Sequence, residues 1–149
     1  MNTDEEHGPI SILLVEDNPA DVRLMQEALK PSKTKFRSFV AKDGAEAMLF
    51  LHHGNNYTNK PVPDIIILDL NLPQKDGREV LSEIKQDEKL KHIPVIVLTT
   101  SSSVDDINRC YRDHANCYIT KPIDLERFDE IVRLIEMFWF KTVMLPRNA

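Results

Sequence analysis

Apolar residues recur along this chain with two spacings, short unbroken runs and helical stripes, and the two alternate from one end to the other. Ile12-Leu13-Leu14-Val15 and Ile65-Ile66-Ile67-Leu68 are the most apolar runs. Branched runs of this length, bounded by turn residues, read as parallel strands buried on both faces. After a strand over 10–15, Asn18-Pro19 opens a helix: Asn18 suits the N-cap, Pro19 the first helical position, and Asp21 the positive end of the helix dipole. Val22, Met25 and Leu29 supply its apolar face. A short alternating strand is expected over 36–40. Asp43-Gly44-Ala45-Glu46 has the form of a capping box, and Ala47, Leu49, Phe50 and Leu51 carry the helix behind it. Residues 52–63 are a polar loop with Gly, Asn and two prolines. The third strand, over 64–68, leads into Asp69. A helix over 78–86 turns Val80, Leu81 and Ile84 inward. A fourth strand over 94–98 ends in Thr99-Thr100-Ser101, a helix follows over 104–113, and a fifth strand over 117–120 ends in Lys121-Pro122. The last and longest helix runs over 125–140, with Leu125, Phe128, Val132, Ile135 and Trp139 as its core stripe.

Strand and helix thus alternate five times, the pattern of a parallel sheet with helices on both faces. The 149 residues fit one domain, with a segment 1–9 expected to be flexible, a globular body over 10–140 and a C-terminal extension over 141–149. Composition is ordinary for a globular protein, 42% hydrophobic and 29% charged. A net charge of -5 argues against a nucleic-acid surface, which needs a basic patch. The polar, acidic N-terminus is no signal peptide, and no apolar stretch is long enough to span a membrane. Two cysteines, Cys110 and Cys117, suggest free thiols in a reducing cytoplasm, and neither they nor the histidines at 52, 53, 92 and 114 have the spacing of a metal site.

The candidate chemistry lies at the strand ends. Glu16 and Asp17 end the first strand, Asp69 the third, Thr99 the fourth and Lys121 the fifth, all at the sheet edge where open α/β folds bind ligands. Carboxylates gathered there repel: at ~4 Å and an effective dielectric of ~20, each pair costs roughly 4 kcal/mol. A cation among them relieves this, and oxygen ligands suit Mg2+. Cation, spare carboxylate, hydroxyl and ammonium together suit an incoming phosphoryl group. Taken singly, each group has a plainer reading. Glu16-Asp17 could be capping charge, Thr99 turn chemistry, and Lys121 a surface lysine.

Asp17 in a strand-end acid pair, Asp69 followed by Asn71-Leu72-Pro73, Thr99 and Lys121-Pro122 resemble the receiver domain of two-component response regulators over about residues 10–140. The resemblance implies a flavodoxin-like, doubly wound α/β fold, a five-stranded parallel sheet of order 2-1-3-4-5 with five helices. It implies that Asp69 accepts the phosphoryl group, and that Glu16, Asp17, Asp69 and the backbone carbonyl of Asn71 surround Mg2+, or another divalent cation such as Mn2+ or Ca2+. Thr99 and Lys121 would hold the phosphoryl oxygens. Tyr118, with Thr99, would be the switch, Asn71 and Ser101 would tune phosphoryl lifetime, and the Lys121-Pro122 peptide would be cis.

The stretches Asp69-Leu70-Asn71-Leu72-Pro73 and Lys75-Asp76-Gly77-Arg78-Glu79-Val80-Leu81, with Phe138-Trp139, Thr142-Val143 and Leu145-Pro146, look like cyanobacterial phytochrome response regulators. That likeness implies a stand-alone cytoplasmic receiver, phosphorylated by a phytochrome-type histidine kinase and signalling by protein contact. It would catalyse only its own phosphorylation and dephosphorylation. It also implies a homodimer through the last helix and the C-terminal extension, where Leu134, Met137 and Phe140 fall off the core stripe and Val143, Met144 and Leu145 extend the apolar patch past the helix. Two other readings compete. An aspartyl-phosphate hydrolase wants a second acid two residues after its nucleophile, where Asn71 stands. A flavin- or nucleotide-binding module wants a Gly- or Ser/Thr-rich first turn, where Glu16-Asp17-Asn18-Pro19 stands.

Overall fold

The computed structural model describes residues 8–30, 35–54 and 57–146, so most of the segment expected to be flexible and the last three residues lie outside the described residues. Five parallel strands form one sheet: β1 (Ile10–Val15), β2 (Phe36–Ala41), β3 (Ile65–Leu68), β4 (Val95–Thr99) and β5 (Cys117–Thr120). Their order is β2-β1-β3-β4-β5, as expected. The chain reverses its direction of travel between β1 and β3, which opens a crevice at the carboxyl ends of those strands. Val15 pairs with both Ala41 and Leu68, and Leu68 pairs with Val97, so the strand ends lie nearly level.

Alternation along the strands divides the core. Leu13, Val15, Ile66 and Leu68 point to one face, beneath α2 (Gly44–Leu51), α3 (Gly77–Gln86) and α4 (Val104–Arg112). Ile12, Leu14, Ile65 and Ile67 point to the other, beneath α1 (Pro19–Leu29) and α5 (Leu125–Ile135). Ile12, Leu13, Leu14, Ile65 and Ile66 are wholly buried, each such side chain contributing about 1.5–3 kcal/mol. Side-chain caps from Asn18, Asp43, Asp76, Ser103 and Asp124 start the five helices. Among the described residues no helix is long and apolar enough to cross a membrane.

Three details depart from the sequence reading. In α2, Leu49 is 40% exposed and Met48 takes the core position. At about 100° per residue, Leu49 stands opposite Ala47, while Met48, Phe50 and Leu51 flank it. At the other end, α5 stops at Ile135 and a single π-helical turn, Glu136–Phe140, follows. The wider turn moves the inward position from the fourth residue after Ile135 to the fifth. Phe140 is therefore buried, 6.3 Å from the Phe36 ring, and Trp139 is only half-buried. Leu125, at the first turn, is exposed. Finally, the described residues contain no cis peptide bond, so Lys121-Pro122 is trans. The lysine is aimed by its own backbone N–H, which donates to the Thr99 carbonyl at 2.6 Å.

Gly77 fixes the loop that follows β3. Its N–H donates to the Leu70 carbonyl at 2.9 Å, and a Cβ there would stand 2.2 Å from the Asp69 carbonyl oxygen. Only glycine lets α3 begin so close under the strand end. Gly77→Ala should therefore lower the unfolding free energy by about 3 kcal/mol in urea denaturation. A loss within error of zero would mean that the loop can move away freely.

Candidate functional site

Three backbone hydrogen bonds fix the acids and the lysine at the strand ends. Glu16 N–H donates to Ala41 at 3.0 Å, continuing the β1–β2 ladder by one residue, and Asp69 N–H donates to Val15 at 3.0 Å. Lys121 N–H does the same toward Thr99 from β5. Side chains of residues 105 and 52 positions apart thereby meet.

Lys121 is the hub. Its Nζ lies 2.5 Å from Glu16 Oε2, 3.0 Å from Asp21 Oδ2 and 3.1 Å from Asp69 Oδ2. Glu16, Asp69 and Lys121 are all buried, while Asp17 is exposed at the rim. The second Glu16 oxygen accepts from Asn18 N–H at 3.1 Å, and the second Asp69 oxygen from Asn71 N–H at 3.3 Å. One oxygen from each of Glu16, Asp17 and Asp69 falls within 4.8 Å of the others.

The electrostatics follow from burial and charge. Burial alone would push the Lys121 ammonium down. The hydrogen bonds it donates to Glu16 and Asp21 and the charge of Asp69 outweigh that and leave it raised. Burial pushes the Glu16 carboxyl up, the Lys121 hydrogen bond pulls it back and the Asp69 charge pushes again, leaving it at about 7. With all four acids ionised, one ammonium faces four carboxylates. That surplus of negative charge on hard oxygen donors fits a divalent cation of the Mg2+ class.

Thr99 supplies a hydroxyl at the same edge. It is wholly buried at the end of β4, and its Oγ1 has no hydrogen-bond partner among the described residues. A buried hydroxyl left so costs about 1–3 kcal/mol. At a crevice edge beside Asp69, an incoming oxyanion would relieve it.

Of the residues expected from sequence, Glu16, Asp17, Asp69 and Lys121 are brought together and Thr99 lies on the same edge. Ser101 and Tyr118 make a separate contact: Tyr118 OH donates to the Ser101 carbonyl at 2.8 Å, and Ser101 Oγ donates to Asp106 at 2.6 Å. Asn71 is exposed and touches Asp69 through its N–H. Asp21 was missed as a partner of Lys121. Its place one turn beyond Asp17 was the signal, but a first-turn acid also serves the helix dipole. Arg78 was missed as well. It grips Asp106, 28 residues away, with no local pattern to announce it. That grip, with the Ser101 hydrogen bond, holds the Asp106 carboxyl down at about 2.

Comparison with known proteins agrees with this geometry. A family model for the response regulator receiver domain matches residues 12–133. Response regulator Rcp1 of Synechocystis sp. is 52% identical over 144 residues, covering 97% of this chain and 98% of its own. The probable methanogenesis regulatory protein FilR2 of Methanothrix harundinacea is 42% identical, covering 91% and 86%. The crystal structure of Mn2+-bound Rcp1 superposes with a TM-score of 0.91 at 53% identity, covering 93% of this chain and 99% of that one. The phosphorylated cyanobacterial phytochrome response regulator RcpA superposes with the same TM-score at 52% identity and the same coverage. The hydrolase and flavodoxin-type alternatives receive no support from these matches.

A cation must displace the Glu16 proton, so its affinity should rise with pH through about 7. The sign also holds for stability. A folded-state carboxyl raised above its ordinary 4.5 makes the metal-free fold lose stability as pH rises from there through 7. Mg2+ should therefore raise the melting temperature more at about pH 8 than at about pH 6. A shift that is equal or larger at the lower pH would refute the assignment of Glu16.

Proposed function

The chain belongs to the response regulator receiver family, and on that premise we propose that Asp69 is the aspartate that takes the phosphoryl group. Receiver domains are signalling proteins. They accept a phosphoryl group from a histidine kinase and bind Mg2+ or Mn2+ in an acidic pocket. What carries the assignment of Asp69 is its contact with Lys121 at 3.1 Å, beside the unpartnered hydroxyl of Thr99.

In this reading Glu16, Asp17 and Asp69, with the Asn71 carbonyl, hold the divalent cation. The cation supplies charge neutralisation for phosphoryl oxygens entering an acidic pocket. An Asp69 oxygen attacks phosphorus, the bond from phosphorus to the donor histidine nitrogen breaks, and that nitrogen keeps the electron pair. Lys121 turns part of its charge from Asp69 to the new phosphoryl oxygens, and Thr99 Oγ donates the hydrogen bond it now lacks a partner for. Thr99 and Tyr118 form the switch, and Asn71 and Ser101 flank the site where they would set how fast water removes the phosphoryl group. The chain's own catalysis is limited to this phosphorylation and its reversal by water.

The receiver unit is 10–140, with 141–149 as an extension. The kinase proposed is a phytochrome-type one, supported by identity to Rcp1 and RcpA over nearly the whole chain. A cytoplasmic location is part of the same reading and suits two free thiols, Cys110 and Cys117. A homodimer through α5 and the extension is supported by apolar exposure. Leu134 and Met137 are each 62% exposed and Phe138 51%. Leu134 and Phe138 line an apolar groove of about 310 Å³ together with Ile119, Ile131, Ile135 and Trp139.

Asp69→Asn should fold normally and take no label from a phosphorylated histidine kinase; label arriving through another residue would refute the acceptor. Lys121→Ala should keep Mg2+ binding but slow phosphorylation about a hundredfold. Unchanged kinetics would count against it. Leu134→Glu combined with Phe138→Glu should sediment as a monomer where the wild type, in one phosphorylation state or the other, is a dimer; a wild type monomeric in both would remove the dimer.

A further inference from the structure

Asp21 makes a contact that neither its helix nor the cation accounts for. It stands in the first turn of α1, where its backbone N–H donates to the Asn18 cap at 3.4 Å. An acid there suits the helix dipole, but that role asks for no particular partner. Its Oδ2 nevertheless accepts from Lys121 Nζ at 3.0 Å, 100 residues along the chain. The oxygens that could hold a cation, among the described residues, come from Glu16, Asp17 and Asp69, and Asp21 is not one of that trio.

A lysine ammonium has three donors, and here each meets a carboxylate, from Glu16, Asp69 and Asp21. In the reaction proposed above, two of these partners acquire other work. Glu16 and Asp69 give oxygens to the cation, and Asp69 also takes phosphorus. Asp21 has neither task. Lys121 reaches from the edge strand β5 past β4 and β3 on a flexible four-carbon stem, so its ammonium keeps one place only while something holds it there. Its backbone N–H on Thr99 fixes where the stem begins, and Asp21 fixes where it ends.

We propose that Asp21 is a positioning residue for phosphoryl transfer: it anchors the Lys121 ammonium beside Asp69 while the cation and the phosphoryl group draw on Glu16 and Asp69. The proposal rests on the reading of Asp69 as acceptor and of Lys121 as the group that holds phosphoryl oxygens. Asp21 also carries a negative charge that repels an incoming phosphoryl group, so its removal moves two effects in opposite directions. Asn and Ala both remove the charge, and only Asn keeps an oxygen able to accept from Lys121. The difference between those two variants is the anchor alone.

The test is phosphoryl uptake by the full chain, saturated with Mg2+, from phosphoramidate. This donor carries a phosphorus–nitrogen bond like that of phosphohistidine but needs no kinase contact with α1. An Asp69 oxygen bonds to phosphorus, the phosphorus–nitrogen bond breaks, and the protonated nitrogen leaves as ammonia with the electron pair. Asp21→Ala should take up the group about fivefold more slowly than Asp21→Asn, the worth of one ordinary hydrogen bond. With Lys121→Ala added to both, the gap should fall below about twofold. Mg2+ affinity, read by calorimetric titration, should agree within about twofold between Asp21→Ala and Asp21→Asn, since both place the same charge beside the cation. Equal rates, or a faster Asp21→Ala, would leave Asp21 a dipole charge and overturn the anchor alone. A gap that survives Lys121→Ala, or is matched by an equal gap in Mg2+ affinity, would put the effect in the packing of α1 and overturn it too. An Asp69→Asn protein that takes up the group as fast as wild type would overturn the acceptor reading and the anchor with it.

Discussion

A buried ammonium surrounded by carboxylates organises this molecule. Lys121 comes from the edge strand β5, yet its Nζ reaches Glu16 past β1, Asp21 in α1 and Asp69 past β3. Removing the ammonium would leave the carboxylates around it without compensation, and breaking a buried ion pair in this way typically costs about 3–5 kcal/mol. The cluster therefore ties together three strands and a helix at the edge where the sheet's hydrogen bonding ends. It also leaves a surplus of negative charge, which makes a divalent cation a natural occupant and a phosphoryl group acceptable only in its company.

The acidic half of the crevice is rigid because backbone holds it. The N–H groups of Glu16, Asp69 and Lys121 extend the sheet by one residue each, and Gly77 allows α3 to start against the Asp69 carbonyl. The hydroxyl half is different. Beyond Thr99 the chain leaves the sheet, and Ser101 is held by side chains, Asp106 below and Tyr118 beside it. A fixed half can bind and react, and a half held by side chains can respond. The division follows from where the ladder stops.

Consecutive residues of β5 join the responsive half to the outer surface. Tyr118 packs against the core face that carries α4, whereas Ile119 packs on the opposite face and lines the groove beside Leu134 and Phe138. Side chains of neighbouring strand residues always point to opposite faces, so a shift of β5 is felt on both. The π-helical turn adds to this. By turning Phe140 into the core it leaves Met137 and Phe138 outside, where they widen the apolar patch rather than closing it.

How much was legible from residues alone follows the range of the forces involved. Strand and helix identity, their alternation, the caps at Asn18 and Asp43 and the acids at 16, 17 and 69 were readable, because burial period and turn chemistry act over a few residues. Their convergence with Lys121 was readable too, since parallel strands must all end at one edge. Local spacing misjudged Leu49 and could not foresee the π-helical turn, which brings Phe140 against Phe36 at the start of β2. Arg78's grip on Asp106, Asp21's on Lys121 and the orphaned hydroxyl of Thr99 had no signature in sequence. Each depends on the distance between segments far apart in the chain, and only the packed tertiary structure sets that distance.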